Sequence, residues 1–263
     1  MKSKLNYLPK QYQENKIHKI NHSYLVEQFF DYKKIFSKIE KIVKHGDYTL
    51  GNEVNKFEKS LSKRMGAKFA IAVGNGTDAL YLALKAFNIG KGDEVITTPF
   101  TFIATVASIV TAGAKPVFVD IKDDYNIDEK KIEKAITKKT KAIMPVHLTG
   151  RVCEMDQIIR LSKKYNIPII EDAAQAIGSK YKKKFAGTFG EIGCFSAHPL
   201  KNLNAIGDSG YLTTNSSKIA NYIKDIRNHG MTNRNKVKNF GYVSRMDNLQ
   251  AAVLNFRLRN LKK

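Results

Sequence analysis

Hydrophobic positions between residues 69 and 172 follow two alternating periods, which predict strands and helices in turn. Short apolar or β-branched runs alternate with longer segments that carry apolar residues at helical spacing. The strand-like runs are FAIAV, EVITT, KPVFVD, KAIMPVH and IPIIED. The helix-like segments between them are TDALYLALKAF, FIATVASIVTAG, DEKKIEKAI and MDQIIRLSKKY. This alternation predicts an α/β fold, with a mostly parallel, doubly wound sheet and helices on both faces.

The N-terminal part has a different pattern. Residues 1–22 are polar and irregular, and we expect them to form an arm. From Tyr24 to about Val43 apolar residues recur at helical spacing, which predicts a single long helix. A second amphipathic helix, NEVNKFEKSLSKRM, leads into the first strand. The large domain is predicted to cover residues 23–245.

The pattern changes again after residue 196. GYLTTN favours an antiparallel strand, and SSKIANYIKDIRNHG then predicts a helix. Residues 246–263 are helical in pattern and run into the C-terminus, with no visible segment to pack on. We therefore expect residues 246–263 to begin a C-terminal segment that is truncated.

Composition limits the class of protein. The chain has 263 residues, 43% of them hydrophobic, which suits one large globular domain. Its formal net charge of +21 makes a basic nucleic-acid-binding protein one alternative. Lysine exceeds arginine and is spread along the whole chain, whereas base and phosphate recognition relies on clustered arginine. We expect no nucleic-acid partner.

Cysteine content and hydropathy exclude further classes. Cys153 and Cys194 have no paired spacing, which argues against a disulfide framework and against a metal site. The N-terminus lacks the apolar core of a signal peptide. The most apolar stretch is interrupted by Thr, Gly, Lys and Pro before it reaches the length of a membrane span. We expect a cytoplasmic protein with no membrane partner.

Ligands of doubly wound sheets bind where the strands end, so the loops that follow the strands are the candidate sites. The first loop, GNGTDAL, contains Gly74 and Gly76 for a tight turn and Thr77 as a possible helix cap. A helix N-terminus of this kind suits a phosphate group. An ordinary glycine-rich turn is the alternative.

The second loop, PFTFIAT, contributes aromatic side chains. Phe100 and Phe102 follow the next predicted strand, where an aromatic ring can stack on a planar ligand. Packing in the core is the other interpretation of both residues.

The third loop, IIEDAAQA, follows a buried strand with two carboxylates. Asp172 is costly to bury unless it has a partner, and a protonated pyridine nitrogen would be one, through charge pairing. Gln175 follows about one turn later. The alternative role of Asp172 is to cap a helix.

The fourth loop, FSAHPLKNLNAIGDSG, contains Ser196 and Lys201. An ordinary lysine, with a pKa of about 10.4, is protonated at neutral pH, and Schiff-base formation requires that value to be lowered. The apolar and uncharged neighbours of Lys201 suit such a site, although a surface cation is the simpler interpretation. Taken together, the four loops supply the parts of a pyridoxal phosphate site.

Eight collinear segments between about residues 45 and 257 resemble the DegT/StrS family of sugar aminotransferases. They are GNGTDALYLALKA, DEVITTPFTFIAT, GAKPVFVDI, IMPVHLTG, IIEDAAQAIG, GCFSAHPLKNLNAIGDSGYL, RNHG and GYVSRMDNLQAAVL. The resemblance implies an aspartate-aminotransferase-like fold (fold type I), pyridoxal 5'-phosphate as cofactor and a homodimer. It also implies transfer of an amino group, from a donor such as glutamate, to a keto sugar nucleotide in amino-sugar or surface-polysaccharide biosynthesis.

The resemblance assigns roles to individual residues. Lys201 would form the Schiff base, and Asp172 would bind the pyridine nitrogen. A lysine here favours transamination, because the dehydratase branch of the family has histidine instead. The other assignments are Gln175 beside the phenolic oxygen, Phe102 on the ring face, and Gly76, Thr77 and Ser196 at the phosphate. His147 and His198 are further candidates for contacting substrate or for orienting neighbouring groups. Arg245 and Arg227 are candidates for binding substrate anions or for subunit contacts.

Two departures from the family pattern affect these expectations. Val243 stands where the family has an asparagine that reaches the cofactor phosphate of the neighbouring subunit, so we expect weaker cofactor binding. Family members also continue into a small C-terminal domain, which we expect to be missing or truncated here. The alternatives are transamination of a keto-cyclitol and a truncated, inactive protomer.

Overall fold

The computed structural model describes residue 23 and residues 25–261, and the predicted arm over residues 1–22 lies outside this part. The helices are α1 (Leu25–Gln28), α2 (Tyr32–His45), α3 (Asn52–Met65), α4 (Gly76–Ala86), α5 (Ile103–Thr111), α6 (Ile132–Ala135), α7 (Met155–Tyr165), α8 (Ser217–Ile226) and α9 (Asn248–Asn260). The strands are β1 (Phe69–Val73), β2 (Glu94–Thr97), β3 (Lys115–Phe118), β4 (Thr140–Ile143), β5 (Ile170–Asp172), β6 (Lys180–Tyr181), β7 (Lys184–Phe185), β8 (Ile192–Ser196), β9 (Gly210–Thr214), β10 (Met231–Asn233) and β11 (Lys236–Val237).

The main sheet has the strand order β1-β9-β8-β5-β4-β2-β3. Two hydrogen-bonded groups, β1-β9-β8-β5 and β3-β2-β4, make up this order. Parallel bridges between β4 and β5 join them, with Ile143 N–H donating to Pro168 O (3.0 Å) and Asp172 N–H to Pro145 O (2.9 Å). Within this sheet β9 alone is antiparallel to its neighbours. The predicted α/β fold with a mostly parallel sheet is confirmed.

Helices cover both faces of the sheet, because side chains along each strand alternate between two cores. In β1, Ile71 and Val73 pack with α4 and α8 on one face. Ala70 and Ala72 face α3 and α9 on the other. A third cluster lies between β2, β4 and α7. The strand ends are thereby held rigidly, which positions the loops that follow them.

The single long helix predicted from Tyr24 to Val43 is interrupted. A turn over residues 29–31 separates α1 from α2, and Tyr32 N–H donates to Phe29 O (2.9 Å). Asp31 precedes α2; its carbonyl accepts from Lys34 N–H (2.9 Å), and its carboxylate pairs with Lys34 Nζ (3.1 Å). The helical spacing of the apolar residues was real, but it did not reveal the turn.

The segment DEKKIEKAI is helical over only four residues, in α6. Asp128 accepts from Lys130 N–H (3.1 Å) and its carbonyl accepts from Lys131 N–H (3.0 Å). An aspartate side chain that bonds its own backbone in this way stabilises a turn in competition with a helix.

The C-terminal helix α9 has a packing partner, contrary to our expectation. Ala251, Leu254 and Leu258 pack in the same cluster as Phe57 of α3. Asn248 Oδ1 accepts two backbone N–H groups in the first turn of α3, those of Glu53 (2.9 Å) and Val54 (3.1 Å). Residues far apart along the chain make this contact, and local periodicity does not reveal it. The domain boundary at residue 245 stays a prediction.

Phe57→Ala is expected to lower the free energy of unfolding by about 3–5 kcal/mol. Phe57 is fully buried, and its ring meets the buried ring of Tyr211 edge-on at 5.6 Å. Urea denaturation followed by circular dichroism measures the loss. Phe240→Ala is the matched control, because Phe240 is fully exposed and its removal should change stability by less than about 0.5 kcal/mol. Equal losses in both variants would contradict the assignment of Phe57 to the core.

Candidate active site

A cavity of about 350 Å³ lies at the carboxyl ends of the central parallel strands. The loops after β1, β2, β4, β5 and β8 meet there, as expected for a doubly wound sheet. The predicted site residues that line it are Gly76, Thr77, Phe102, His147, Asp172, Gln175, Ser196, His198 and Lys201. Residues separated by more than a hundred positions are therefore brought to one place.

Asp172 ends β5 and is almost completely buried. Its Oδ2 accepts from the Thr105 hydroxyl (2.7 Å), and its Oδ1 accepts from Ala174 N–H (3.1 Å). Burial raises the pKa of this carboxyl group, although both hydrogen bonds oppose the shift. Each carboxylate oxygen can accept a further bond. Turns follow β5 directly, so Asp172 does not cap a helix, and its remaining capacity is available to the cavity.

Lys201 lies in the loop between β8 and β9 and is partly buried. The base of this loop is closed by backbone bonds from Ala197 N–H to Ser209 O (2.7 Å) and from Ala205 N–H to Ala197 O (2.9 Å). Burial lowers the pKa of the Lys201 amine, and the nearby charge of Asp172 opposes the shift. The interpretation of Lys201 as a freely solvated surface cation is therefore not supported.

The turn before α4 forms a helix N-terminus at the cavity. The N-cap is Asn75, whose Oδ1 accepts from Asp78 N–H (2.8 Å), and Thr77 is not the cap that we expected. Thr77 instead lies in the first turn, where backbone N–H groups have no partner within the helix. A Cβ atom on Gly76 would lie 2.7 Å from Ser196 Cβ. The absence of a side chain at Gly76 therefore permits the close approach of Ser196.

His147 lines the cavity but is fully buried, and its ring is already engaged. Its Nε2 lies 2.9 Å from Glu171 Oε2. Burial disfavours the charged imidazolium, but hydrogen bonds with Cys153 and Glu171 outweigh this and raise the pKa of His147. This environment favours the orienting role for His147 over contact with substrate.

Glu171 joins His147 to the loop over residues 187–190, a role that the sequence reasoning missed. It is fully buried, and its two oxygens accept the backbone N–H groups of Gly187, Phe189 and Gly190, each at 2.7 Å. Because neighbouring strand residues face opposite sides, Glu171 points away from the face that Asp172 serves. The two adjacent acids in the sequence were a signal that each side of the strand has its own carboxylate.

Gln175 and His198 also make contacts within the site. Gln175 Oε1 accepts from Thr149 N–H (2.6 Å), which ties the loop after β5 to the loop after β4. His198 Nδ1 accepts from Leu200 N–H (3.2 Å), and His198 O accepts from Lys201 N–H (2.8 Å). His198 is exposed, so its ring remains accessible from the cavity.

Both candidate arginines and one aromatic residue lie away from the cavity lining. Arg227 is buried and donates to Glu58 Oε1 (2.5 Å) and Ala72 O (2.6 Å), which identifies it as a structural group. Arg245 donates to Asn228 Oδ1 (3.1 Å). Phe100 is half exposed against Tyr125, with 5.5 Å between the ring centroids. Side-chain direction decided all three outcomes, and no local pattern indicated it.

Phe102 is 66% exposed at the cavity, so the core interpretation of this residue is wrong. Asp208 also lines the cavity, although the sequence reasoning did not select it. It enters the site because the loop over residues 197–209, which carries Lys201 (the lysine loop), folds back towards β9. Val243 is exposed and is not part of the lining, and its effect on cofactor binding stays a prediction.

Among residues 25–261, no helix is long and apolar enough to cross a membrane. Within the same described range, His, Cys, Asp and Glu side chains do not form a group of three or more that could hold a metal ion. Both cysteines are free and buried.

The fold and the cavity define an aminotransferase-like α/β protein. The chain belongs to the DegT/DnrJ/EryC1/StrS aminotransferase family, whose model matches residues 31–263.

Relatives agree with this assignment. The chain is 44% identical over 222 residues to the UDP-2-acetamido-2-deoxy-3-oxo-D-glucuronate aminotransferase of Pseudomonas aeruginosa, covering 84% of this chain and 62% of the relative. It is also 44% identical over 241 residues to a pleiotropic regulatory protein of Geobacillus stearothermophilus, covering 91% and 65% of the two chains. The chain thus spans less than two thirds of the length of these relatives.

Solved structures show the same fold. DesV of S. venezuelae, in complex with a ketimine intermediate, superposes with a TM-score of 0.90 at 35% identity, covering 94% of this chain and 67% of DesV. NtdA of Bacillus subtilis, with bound cofactor PMP, superposes with a TM-score of 0.86 at 34% identity, covering 95% of this chain and 58% of NtdA.

Proposed function

We propose that the chain is a pyridoxal phosphate-dependent aminotransferase that moves an amino group, from a donor such as glutamate, to a keto sugar linked to a nucleotide. One observation carries the proposal: Lys201, with a lowered pKa, and the buried carboxylate of Asp172 line one cavity. The family and the relatives named aminotransferases support it.

The residues of the cavity fit this cofactor. The N-terminus of α4 and the Ser196 hydroxyl suit its phosphate group, and Gly76 leaves the space that a Cβ atom would fill. Asp172 has acceptor capacity left for a ring N–H, and the Lys201 amine suits an aldehyde. Phe102 is exposed to the cavity with a ring able to stack.

When bound, pyridoxal phosphate supplies an aldehyde that combines with amines and a ring that accepts electrons. Asp172 would hold the ring nitrogen in its protonated form, because a buried carboxylate favours an adjacent cation. The hydroxyl of Thr105 orients Asp172 for this pairing. Lys201 Nζ would take the proton from the donor Cα and return it during transfer, as general base and acid. Its lowered pKa increases the neutral fraction of the amine that this step needs.

The substrate class rests on the names of relatives. Besides the UDP-sugar aminotransferase, they include a dTDP-3-amino-3,6-dideoxy-alpha-D-galactopyranose transaminase of Aneurinibacillus thermoaerophilus and a spore coat polysaccharide biosynthesis protein of Bacillus subtilis. These names favour a nucleotide-linked keto sugar and a place in amino-sugar or surface-polysaccharide synthesis. None of these names points to a keto-cyclitol.

Exposed apolar side chains beside the cavity support a homodimer. Three side chains in α5 or directly before it are each more than half exposed: Phe102, Ile103 and Val110. Phe100 and Tyr125 continue this surface. An exposed apolar patch of this kind is typical of a protein interface. Sedimentation velocity should show a dimer, and a monomer at high protein concentration would contradict this part of the proposal.

Borohydride reduction tests the proposed function. The purified protein is mixed with pyridoxal phosphate, its visible spectrum is recorded, and borohydride is added to make any link between a lysine and the cofactor permanent. Peptide mapping should find the modification on Lys201, and glutamate added before reduction should bleach the visible band. Modification of a different lysine, or the absence of a band, would overturn the assignment.

Gly76→Ala is expected to weaken binding of pyridoxal phosphate by about tenfold or more. The added methyl group would overpack against Ser196 and displace the turn over residues 74–77, the phosphate turn, at which the cofactor phosphate is proposed to bind. Titration followed by absorbance measures the affinity. Gly90→Ala is the control, because a Cβ atom there would make an ordinary contact of 3.4 Å with Ala112 O. Equal affinity in the two variants would show that the phosphate does not bind at this turn.

A further inference from the structure

Asn204, three residues after Lys201, uses all the polar groups of its side chain although it is fully buried. Its Nδ2 donates to Pro199 O (2.6 Å) and to Gln28 Oε1 (2.8 Å). Its Oδ1 accepts from Arg257 Nε (3.0 Å). A buried amide must keep such bonds, because an unsatisfied polar group in the interior is costly. The position of Asn204 is therefore narrowly defined.

The bond from Asn204 to Pro199 spans the lysine loop. Pro199 and Asn204 lie on either side of Lys201 along the chain, so the side chain of Asn204 closes a turn with Lys201 inside it. The backbone of Lys201 is also bonded to His198 O at 2.8 Å. These contacts restrict the backbone from which the Lys201 side chain enters the cavity.

Two partners of Asn204, Gln28 and Arg257, lie outside the lysine loop, on α1 and α9. Arg257 is on α9 and also donates to Gln28 O (2.7 Å), and its guanidinium lies 5.2 Å from the ring centroid of Phe29. Gln28 ends α1. The turn after α1, which interrupts the helix predicted there, places Gln28 and Phe29 around Arg257.

We infer that Asn204, held by Arg257 and Gln28, is a positioning residue that sets the place of the Lys201 amine in the cavity. The inference rests on the proposed function, in which Lys201 is the reacting amine. Asn204 does not line the cavity, so it acts through the backbone of the lysine loop. In this arrangement α1 and α9 support the lysine without contacting a ligand.

The test compares Asn204→Ala with Asn202→Ala in the same loop. Asn202 is exposed, and within residues 25–261 its side chain makes no hydrogen bond. Acetylation of Lys201 in the cofactor-free protein is followed by mass spectrometry over a range of pH. The pH of half-maximal labelling reports the pKa of the amine independently of its accessibility. Hydrogen exchange of residues 197–208 is measured in parallel.

For Asn204→Ala we expect the half-maximal pH to rise towards that of an ordinary lysine, because a loosened loop lets water reach the amine. Exchange in the loop should accelerate on the order of tenfold, as expected when several hydrogen bonds are lost. Asn202→Ala should match the parent protein in both measurements. Unchanged values for Asn204→Ala, or equal changes in both variants, would overturn the inference.

Gln28→Ala provides a second variant that does not threaten the core, because Gln28 is exposed. It removes one partner of Asn204 and should shift both measurements in the same direction by a smaller amount. No shift in Gln28→Ala would exclude α1 from the proposed support. Borohydride mapping of the parent protein remains a separate test, so failure of the proposed function and failure of this inference give different results.

Discussion

Lys201→Ala is expected to lower the rate of the half-reaction with glutamate by at least about 10³-fold, because the amine that moves the proton is lost. Rapid mixing of the holoenzyme with glutamate, followed by absorbance, measures this rate. The phosphate turn and Asp172 remain intact, so the variant should still bind pyridoxal phosphate. Borohydride should no longer attach the cofactor to the lysine loop.

Two controls separate chemistry from charge. Lys201→Arg keeps a cation in the cavity but cannot bond to the aldehyde, so it should be as inactive as the alanine variant. Lys218→Ala removes an exposed lysine of α8 and should leave the rate unchanged. A Lys201→Ala protein that reacts within about tenfold of the parent rate would exclude Lys201 as the proton-transferring group.

Asp172→Asn is expected to lower the same rate by about 10²–10³-fold, the range seen when one electrostatic group of an active site is removed. Asparagine keeps the size of the side chain; its one oxygen can accept from Ala174 N–H while its amide nitrogen donates to the Thr105 hydroxyl, so packing changes little. A neutral amide does not pair with a protonated ring nitrogen. Thr105→Val should have a smaller effect, because it removes the orientation of Asp172 and leaves its charge.

The stability of Asp172→Asn gives an independent check. Burial raises the pKa of Asp172 in the folded protein, so the folded state binds the proton more tightly than the unfolded state. With the cofactor absent, this group therefore favours folding at low pH and loses that contribution as pH rises through its folded pKa. At neutral pH the variant should be more stable than the parent in urea denaturation, although it is less active. A less stable variant would contradict the assigned cost of burying this charge.

Much of the cavity was predictable because the strand ends carry local signals. Asp172 follows a continuous apolar strand, and Lys201 lies among small uncharged residues, so both stood out against a chain rich in surface lysine. Parallel strands direct their carboxyl ends to one edge, and this rule brings the separate loops together. The resemblance to one family then supplied the cofactor that these groups suit.

The predicted residues that lie away from the cavity lining have a different explanation. Arg227 and Arg245 carry charges that suit a substrate, but their side chains bind Glu58, Ala72 and Asn228 instead. The direction and the binding partners of a long side chain depend on tertiary packing, which the pattern of residues along the sequence does not contain. The same limit concealed the role of Glu171, whose partners include three backbone amides in a later loop.

The sequence by itself determined the α/β class, the mostly parallel sheet and most of the residues that line the cavity at the strand ends. Hydrophobic periodicity and strand-exit geometry are local or follow one general rule, so one sequence is enough to apply them. Only the tertiary structure decided that α9 packs on α3, that α1 ends early and that Asn204 connects both to the lysine loop. These contacts join residues about fifty to two hundred positions apart. Local hydrophobic patterns do not specify such long-range pairs, so the pairs become visible only in the folded structure.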